Sequence, residues 1–150
     1  SEVGKGSTFR VILPINKTTT AKPFVLIIED DPKLAVIFQM TLQQIGFDTA
    51  LDIHGNQYTS ILSAVCPALV ILDLHMPFIS GVEILQQIRA DQRLSKVPVI
   101  VTTADLILAK TIEGQAEEIL IKPVSVTRLR ETVLRLLPGI PDELEDQAKN

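Results

Sequence analysis

Residues 67 to 77 read Pro67-Ala68-Leu69-Val70-Ile71-Leu72-Asp73-Leu74-His75-Met76-Pro77, with Gly81 shortly after. The run Leu69-Val70-Ile71-Leu72 is apolar without alternation, which suits a strand covered on both faces. It ends abruptly on the carboxylate of Asp73, and turn-forming residues follow. The same layout recurs elsewhere. Phe24-Val25-Leu26-Ile27-Ile28 runs into Glu29-Asp30-Asp31, Val99-Ile100-Val101-Thr102 into Thr103, and Ile119-Leu120-Ile121 into Lys122. Strand-like runs separated by helical stretches predict a parallel α/β sheet.

The helical stretches have their own signals. Pro32 suits a first helical turn, and Leu34, Ile37, Phe38, Leu42 and Ile45 recur at helical spacing until Gly46 ends the pattern. A short strand over Asp48–Leu51 and a weak helix from about Asn56 to Ala64 follow. Gly81 to Ala90 carries Val82, Leu85 and Ile88 on one face. Ser125 to Leu137 places Leu129, Val133 and Leu136 inward and Arg128, Arg130 and Arg135 outward, with Pro138-Gly139 ending it.

If the strands lie parallel, their polar endings meet at the carboxyl edge of the sheet, where open α/β sheets place their sites. Three carboxylates, a hydroxyl and an ammonium would then share one crevice. Such a set suits a hard divalent cation and a phosphoryl group carried on an aspartate.

Composition narrows the field. The chain has 150 residues, 46% hydrophobic and 21% charged, as expected for one ordinary domain with extra length at its ends. A net charge of −4 argues against a nucleic-acid surface. The single Cys66 rules out an internal disulfide, and its place before Pro67 reads as a small buried apolar residue. No apolar run approaches the roughly 18 residues of a membrane span, and no signal peptide opens the chain, so a cytoplasmic domain is expected.

The ends differ in kind from the middle. Lys17-Thr18-Thr19-Thr20-Ala21-Lys22-Pro23 is polar and aperiodic, a linker. Phe9-Arg10-Val11-Ile12-Leu13-Pro14 reads as a lone strand, and Asp142 to Asn150 as a polar tail with little to bury. Gly4-Lys5-Gly6-Ser7 has the wrong glycine spacing for a P-loop, and no strand precedes it.

Between Pro23 and Pro138 the chain resembles the receiver domain of two-component response regulators. Ile27-Ile28-Glu29-Asp30-Asp31-Pro32 is similar to the acidic opening and Pro67 to Pro77 with Gly81 to the phosphoacceptor segment. Val97-Pro98-Val99-Ile100-Val101-Thr102-Thr103-Ala104 and Ile121-Lys122-Pro123 fill the two remaining positions. The resemblance implies a flavodoxin-like, doubly wound, five-stranded parallel sheet in the order 2-1-3-4-5 with five helices. The opening Ser1 to Pro14 resembles the end of the ATP-binding domain of a sensor histidine kinase. Together the two imply a hybrid histidine kinase: residues 1–14 a remnant of its final kinase strand, 15–22 a linker, 23–138 the receiver and 139–150 a polar tail.

The resemblance assigns roles by position. Asp73 is the implied phosphoacceptor. Glu29 and Asp30 fall at the acidic positions that hold Mg²⁺, completed by Asp73 and the backbone carbonyl of His75. Lys122 would pair with Asp73 at rest and with phosphoryl oxygens after transfer, and the Lys-Pro step is often cis. Thr103 would donate its hydroxyl to a phosphoryl oxygen, while its neighbour Thr102 points to the opposite face. Asp31 is either a further acidic ligand or the N-cap before Pro32. His75 and Asp105 stand where the family tunes access of water to the phosphoaspartate. An uninvolved surface histidine and a helix N-cap over Leu106–Glu113 are the alternatives.

Two departures bear on output. The position three before the lysine is often aromatic and is Ile119 here. The segment between Thr103 and Lys122 is also short, so the fourth helix should be short or displaced.

The implied function is a Mg²⁺-dependent receiver that takes a phosphoryl group from a phosphohistidine onto Asp73. Its implied partners are a histidine kinase dimerisation and phosphotransfer domain and a histidine-containing phosphotransfer protein. Nucleic acid and direct membrane contact are not expected, although the parent kinase could be membrane-anchored. The alternative is a pseudo-receiver, an interaction module that is never phosphorylated. A flavodoxin would need a phosphate-cradling loop where Glu29-Asp30-Asp31 stands. A haloacid-dehalogenase phosphatase would need a second Asp where His75 stands.

Overall fold

Strand and helix alternate without a break from Phe24 to Leu136. The computed structural model describes residues 22–139, so the expectations for residues 1–21 and 140–150 lie outside the described residues. The elements are β1 (Phe24–Ile28), α1 (Pro32–Gln44), β2 (Asp48–Asp52), α2 (Tyr58–Ala64), β3 (Leu69–Asp73), α3 (Gly81–Ala90), β4 (Val99–Thr103), α4 (Leu106–Thr111), β5 (Glu118–Ile121) and α5 (Val126–Leu136). All four strand pairings are parallel, and the strand order is β2-β1-β3-β4-β5. This is the doubly wound, flavodoxin-like arrangement that the strand pattern and the resemblance imply.

Because alternate strand residues face opposite ways, the sheet divides two cores. Leu26, Ile28, Val70, Leu72, Val99 and Val101 pack with Ile84, Leu85 and Ile88 of α3 and Leu62 of α2. Val25, Ile27, Leu69, Ile71 and Ile100 pack with Phe38 and Leu42 of α1 and Leu129 and Val133 of α5. Each fully buried aliphatic side chain contributes about 1.5–3 kcal/mol against exposure. β3 and β4, buried along their whole length, anchor the fold and fix where their last residues point.

Helix boundaries follow local chemistry. Asp31 caps α1 by accepting from the Lys33 and Leu34 amides, the second of its two expected roles. Gly46, at φ 98, ends that helix. Ser80 and Glu83 form a capping box at the start of α3. Asp105 caps α4 through the Ile107 and Leu108 amides. That helix stops at Thr111 rather than Glu113, so it is short, as the missing residues require.

Three expectations need correction. Cys66 is exposed, not buried. It stands in the loop after α2, and Pro67 behind it takes the buried place. Ile37 does not join the α1 core: with Val36 and Met40 it forms an exposed apolar stripe. α2 begins at Tyr58 rather than Asn56, because the preceding backbone amides turn toward the Asp52 carboxylate.

At the amino edge of the sheet a single side chain ties several segments together. Arg89, near the end of α3, donates to the carbonyls of Ser95, Val97 and Gln115 and to the Glu117 carboxylate. Glu117 in turn accepts from the Val99 amide at the start of β4. Five donors in one planar fork suit arginine to this position, and lysine could not reproduce the set.

Candidate functional site

The carboxyl edge carries Glu29 and Asp30 after β1, Asp73 at the end of β3, Thr103 at the end of β4 and Lys122 after β5. Register brings them level. Ile28 pairs with Leu72 and Asp73 with Thr102, so the three central strands end within one residue of the same level. Carboxylate oxygens of Glu29, Asp30 and Asp73 lie within 4.8 Å of one another.

Asp73 is 1% exposed, and both its oxygens are used. Oδ1 accepts from the His75 backbone amide at 2.9 Å, and Oδ2 accepts from Lys122 Nζ at 2.9 Å. Nζ also lies 3.3 Å from each Glu29 oxygen. It hydrogen-bonds Oε1, leaving Oε2 buried without a hydrogen-bond partner. The Lys122–Pro123 peptide is cis.

Charge in the crevice is unbalanced. Two nearly buried carboxylates and a third half-buried one face one ammonium. Burial, a hydrogen bond with Asp73 and the Asp73 charge push Glu29 up to about 8, against the opposing pull of Lys122 and the Asp31 amide. Burial alone would lower Lys122. The hydrogen bond to Asp73 and the charges of Glu29 and Asp73 outweigh it, so its pKa is raised. Without a second cation, burial and the crowding of negative charge favour a proton on Glu29.

The hydroxyls are placed differently from the carboxylates. Thr103 Oγ1 accepts from the Asp105 amide at 3.0 Å, and among the described residues no hydrogen bond joins it to Asp73. Thr102 is the residue in register with Asp73, and its hydroxyl is buried without a hydrogen-bond partner. Across the mouth, His75 Nε2 lies 3.8 Å from Asp105 Oδ2. Ile119, half-buried, occupies the place where an aromatic residue is common in the family and packs against the core under α3.

Three residues beside the site were not singled out as site residues from sequence. Gly81 was noted only as part of the phosphoacceptor segment, yet its backbone packs against that of Asp73 and Leu74, and its amide donates to Leu74 O. Ser80 with Glu83 carried a readable S-x-x-E signature.

The family model for the response regulator receiver domain matches residues 25–134, and the chain belongs to that family. It is 33% identical over 129 residues to the DNA-binding response regulator MtrA of Mycolicibacterium smegmatis, covering 83% of this chain and 54% of that protein. It is 30% identical over 118 residues to the DNA-binding dual master transcriptional regulator RpaA of Synechocystis sp., covering 77% of this chain and 49% of that protein. The chain thus spans about half the length of the curated relatives it matches. Among solved structures, the signal receiver domain of a signal transduction histidine kinase from Syntrophus aciditrophicus superposes with a TM-score of 0.70 at 29% identity, covering 79% of this chain and 92% of that one. The response regulator TrrA of Thermotoga maritima, in complex with Mg²⁺ and BeF, superposes with a TM-score of 0.68 at 26% identity, covering 76% of this chain and 98% of that one.

Proposed function

We infer that this receiver domain takes a phosphoryl group from a phosphohistidine onto Asp73, in a Mg²⁺-dependent reaction. The observation that carries the reading is the 2.9 Å contact between Lys122 Nζ and Asp73 Oδ2, beside the buried Glu29 and the more exposed Asp30. An aspartate used only as a turn residue would have no need of this.

The donor set fits the metal. Three carboxylates converge, one buried oxygen of Glu29 lacks a hydrogen-bond partner, and hard oxygens are what Mg²⁺ takes. Asp30, Asp73 and the His75 carbonyl would hold it, with Glu29 acting through a metal-bound water. When bound, the ion offsets carboxylate charge so that an anionic phosphoryl group can approach Asp73. A carboxylate oxygen of Asp73 attacks phosphorus in line. The O–P bond forms as the P–N bond breaks, and its electron pair returns to the imidazole of the donor. Lys122 then follows the charge onto the phosphoryl oxygens. Thr103, at the adjacent strand end, would donate its hydroxyl, whose oxygen accepts from the Asp105 amide and whose proton that bond leaves free.

On this reading the partner would dock on a surface that adjoins the site. Ile37, exposed on α1 with Val36 and Met40, lines a groove together with Asp31, Lys33, Leu34, Lys122, Pro123 and Val124. An apolar helix carrying the donor histidine could lie there, with its imidazole beside Lys122. The natural partners on this reading are a histidine kinase dimerisation and phosphotransfer domain and a histidine-containing phosphotransfer protein. The hybrid-kinase origin is supported by the opening Ser1 to Pro14, which resembles a kinase ending, and by likeness to the receiver of a signal transduction histidine kinase.

Incubation with acetyl phosphate and Mg²⁺, followed by intact mass, tests the reading. Gain of one phosphoryl group, abolished by Asp73→Asn and by removal of Mg²⁺, is expected. An unchanged mass in the wild type would identify a pseudo-receiver. Amide shifts on Mg²⁺ titration should be largest around Asp30 and Asp73.

A further inference from the structure

Asp52 closes β2, and no role in phosphoryl chemistry falls to it. Its carboxylate is nevertheless the most heavily engaged of any described residue. It is 1% exposed and accepts five consecutive backbone amides: His54 at 3.2 Å, Gly55 at 2.8 Å and Asn56 at 3.2 Å on Oδ1, Gln57 at 2.8 Å and Tyr58 at 2.7 Å on Oδ2. A buried carboxylate is tolerable only with such compensation. Here the chain supplies it by wrapping the whole β2–α2 loop around the charge, in the manner of a backbone nest that carries its own anion.

That loop does not end in solvent. Gly55, buried and at φ +73, lies so close to the loop after β3 that a Cβ on it would stand 2.8 Å from Ile79 Cγ2 and 3.3 Å from Met76 Cε. Met76 and Ile79 flank the turn that leaves Asp73 through His75. On its other side, the Asp52 carbonyl accepts from the Glu29 amide at 3.3 Å. One residue therefore touches both walls of the acidic crevice, Glu29 through its main chain and the β3–α3 loop through the turn its side chain folds.

We propose that Asp52 is a positioning residue for the phosphoacceptor site: its carboxylate shapes the 53–58 loop into a brace that holds Met76 and Ile79, and so fixes the backbone at His75. The chemistry explains why a carboxylate is needed. Two oxygens serve two sets of donors. Asparagine would present an NH₂ to one set whichever way it turned, leaving those amides unpaired and facing another donor. Outer partners of a metal site commonly change its affinity about ten- to a hundredfold when altered. The metal arm of this inference rests on the Mg²⁺ reading above; the backbone arm does not.

The test uses Asp52→Asn and Ile79→Ala, which break the brace at its two ends, beside Val133→Ala in the opposite core as a control for simple loss of stability. In metal-free protein, amide exchange at His75, whose N–H donates to Asp73 Oδ1, should quicken about tenfold in both brace variants and keep its wild-type value relative to global stability in the control. Where the wild type binds Mg²⁺, the dissociation constant read from amide shifts should rise about tenfold in both brace variants and stay unchanged in Val133→Ala. Ile79→Ala leaves the Asp52 carboxylate intact and keeps the test decisive if Asp52→Asn does not fold. Wild-type exchange at His75 in Ile79→Ala, or a Mg²⁺ affinity unchanged in both brace variants, overturns the proposal. Failure of the wild type to bind Mg²⁺, with exchange at His75 quickened, would sink the metal reading and leave the brace standing.

Discussion

The backbone of Gly81 is pressed so closely on that of Asp73 that a Cβ at position 81 would lie 2.3 Å from the Asp73 carbonyl oxygen and 2.5 Å from Leu74 Cα. Both obstacles are main chain at the carboxyl end of β3, so no rotamer can relieve the clash. Gly81→Ala should destabilise the domain by about 1–3 kcal/mol, the usual range for overpacking. Urea unfolding measures it, and a midpoint equal to wild type would show that the contact is looser than described.

Lys122 touches Glu29 and Asp73 and makes no core contact of note, with about a quarter of its side chain exposed. Lys122→Ala should fold but lose about 1–3 kcal/mol in metal-free buffer, because two buried carboxylates are left without their cation. Saturating Mg²⁺ should stabilise the variant more than the wild type. Thermal unfolding with and without Mg²⁺ checks this, and equal stabilisation of the two proteins counts against Lys122 as the resident counter-charge.

Glu29 sets the pH dependence of the metal-free domain. Its folded pKa, about 8, lies above its ordinary value of 4.5, so the folded state holds a proton that the unfolded chain releases. The stability from this group is fully present below pH 4.5 and is lost as pH rises through 8. Lys122, raised from 10.5, adds stability that stays constant over this window and fades only at higher pH. In chelator, denaturant midpoints should therefore fall between pH 5.5 and 8.5, and Glu29→Gln should flatten the slope. Mg²⁺ should flatten it too, since it favours the ionised site.

Asp105 starts α4, a helix of only six residues, by accepting two of its amides. Asp105→Ala should cost about 1 kcal/mol, the usual worth of an N-cap. Amide exchange should rise first in Ile107 and Leu108. Unchanged exchange there would mean that the helix is held by the Ala109 and Ile112 contacts alone.

Much of this was written in the sequence. β1, β3 and β4 are unbroken apolar runs ended by a charge or hydroxyl, so their faces, order of use and active ends could be read together. Lys122 and Asp73 were legible as site candidates because each follows an apolar run at the carboxyl end of a strand. Asp52 was not, since a lone aspartate after Thr-Ala-Leu looks like an ordinary turn residue until the amides that converge on it are seen. Arg89 stayed hidden for a related reason: three of its four acceptors are backbone carbonyls, which leave no mark on side-chain identity. Cys66 was misread because burial of a loop residue depends on which neighbour, here Pro67, turns inward.

The Arg89 fork makes the two edges of the sheet mechanically unlike. At one edge, α3 and the entries to β4 and β5 are bolted through a single guanidinium whose bonds do not involve the site. At the other, like charges crowd together with one ammonium between them. The domain is clamped at its base and loaded at its tip, as a cantilever is. On the reading proposed above, charge added at Asp73 would act on the loops of the loaded end, because the opposite end is pinned by these four bonds.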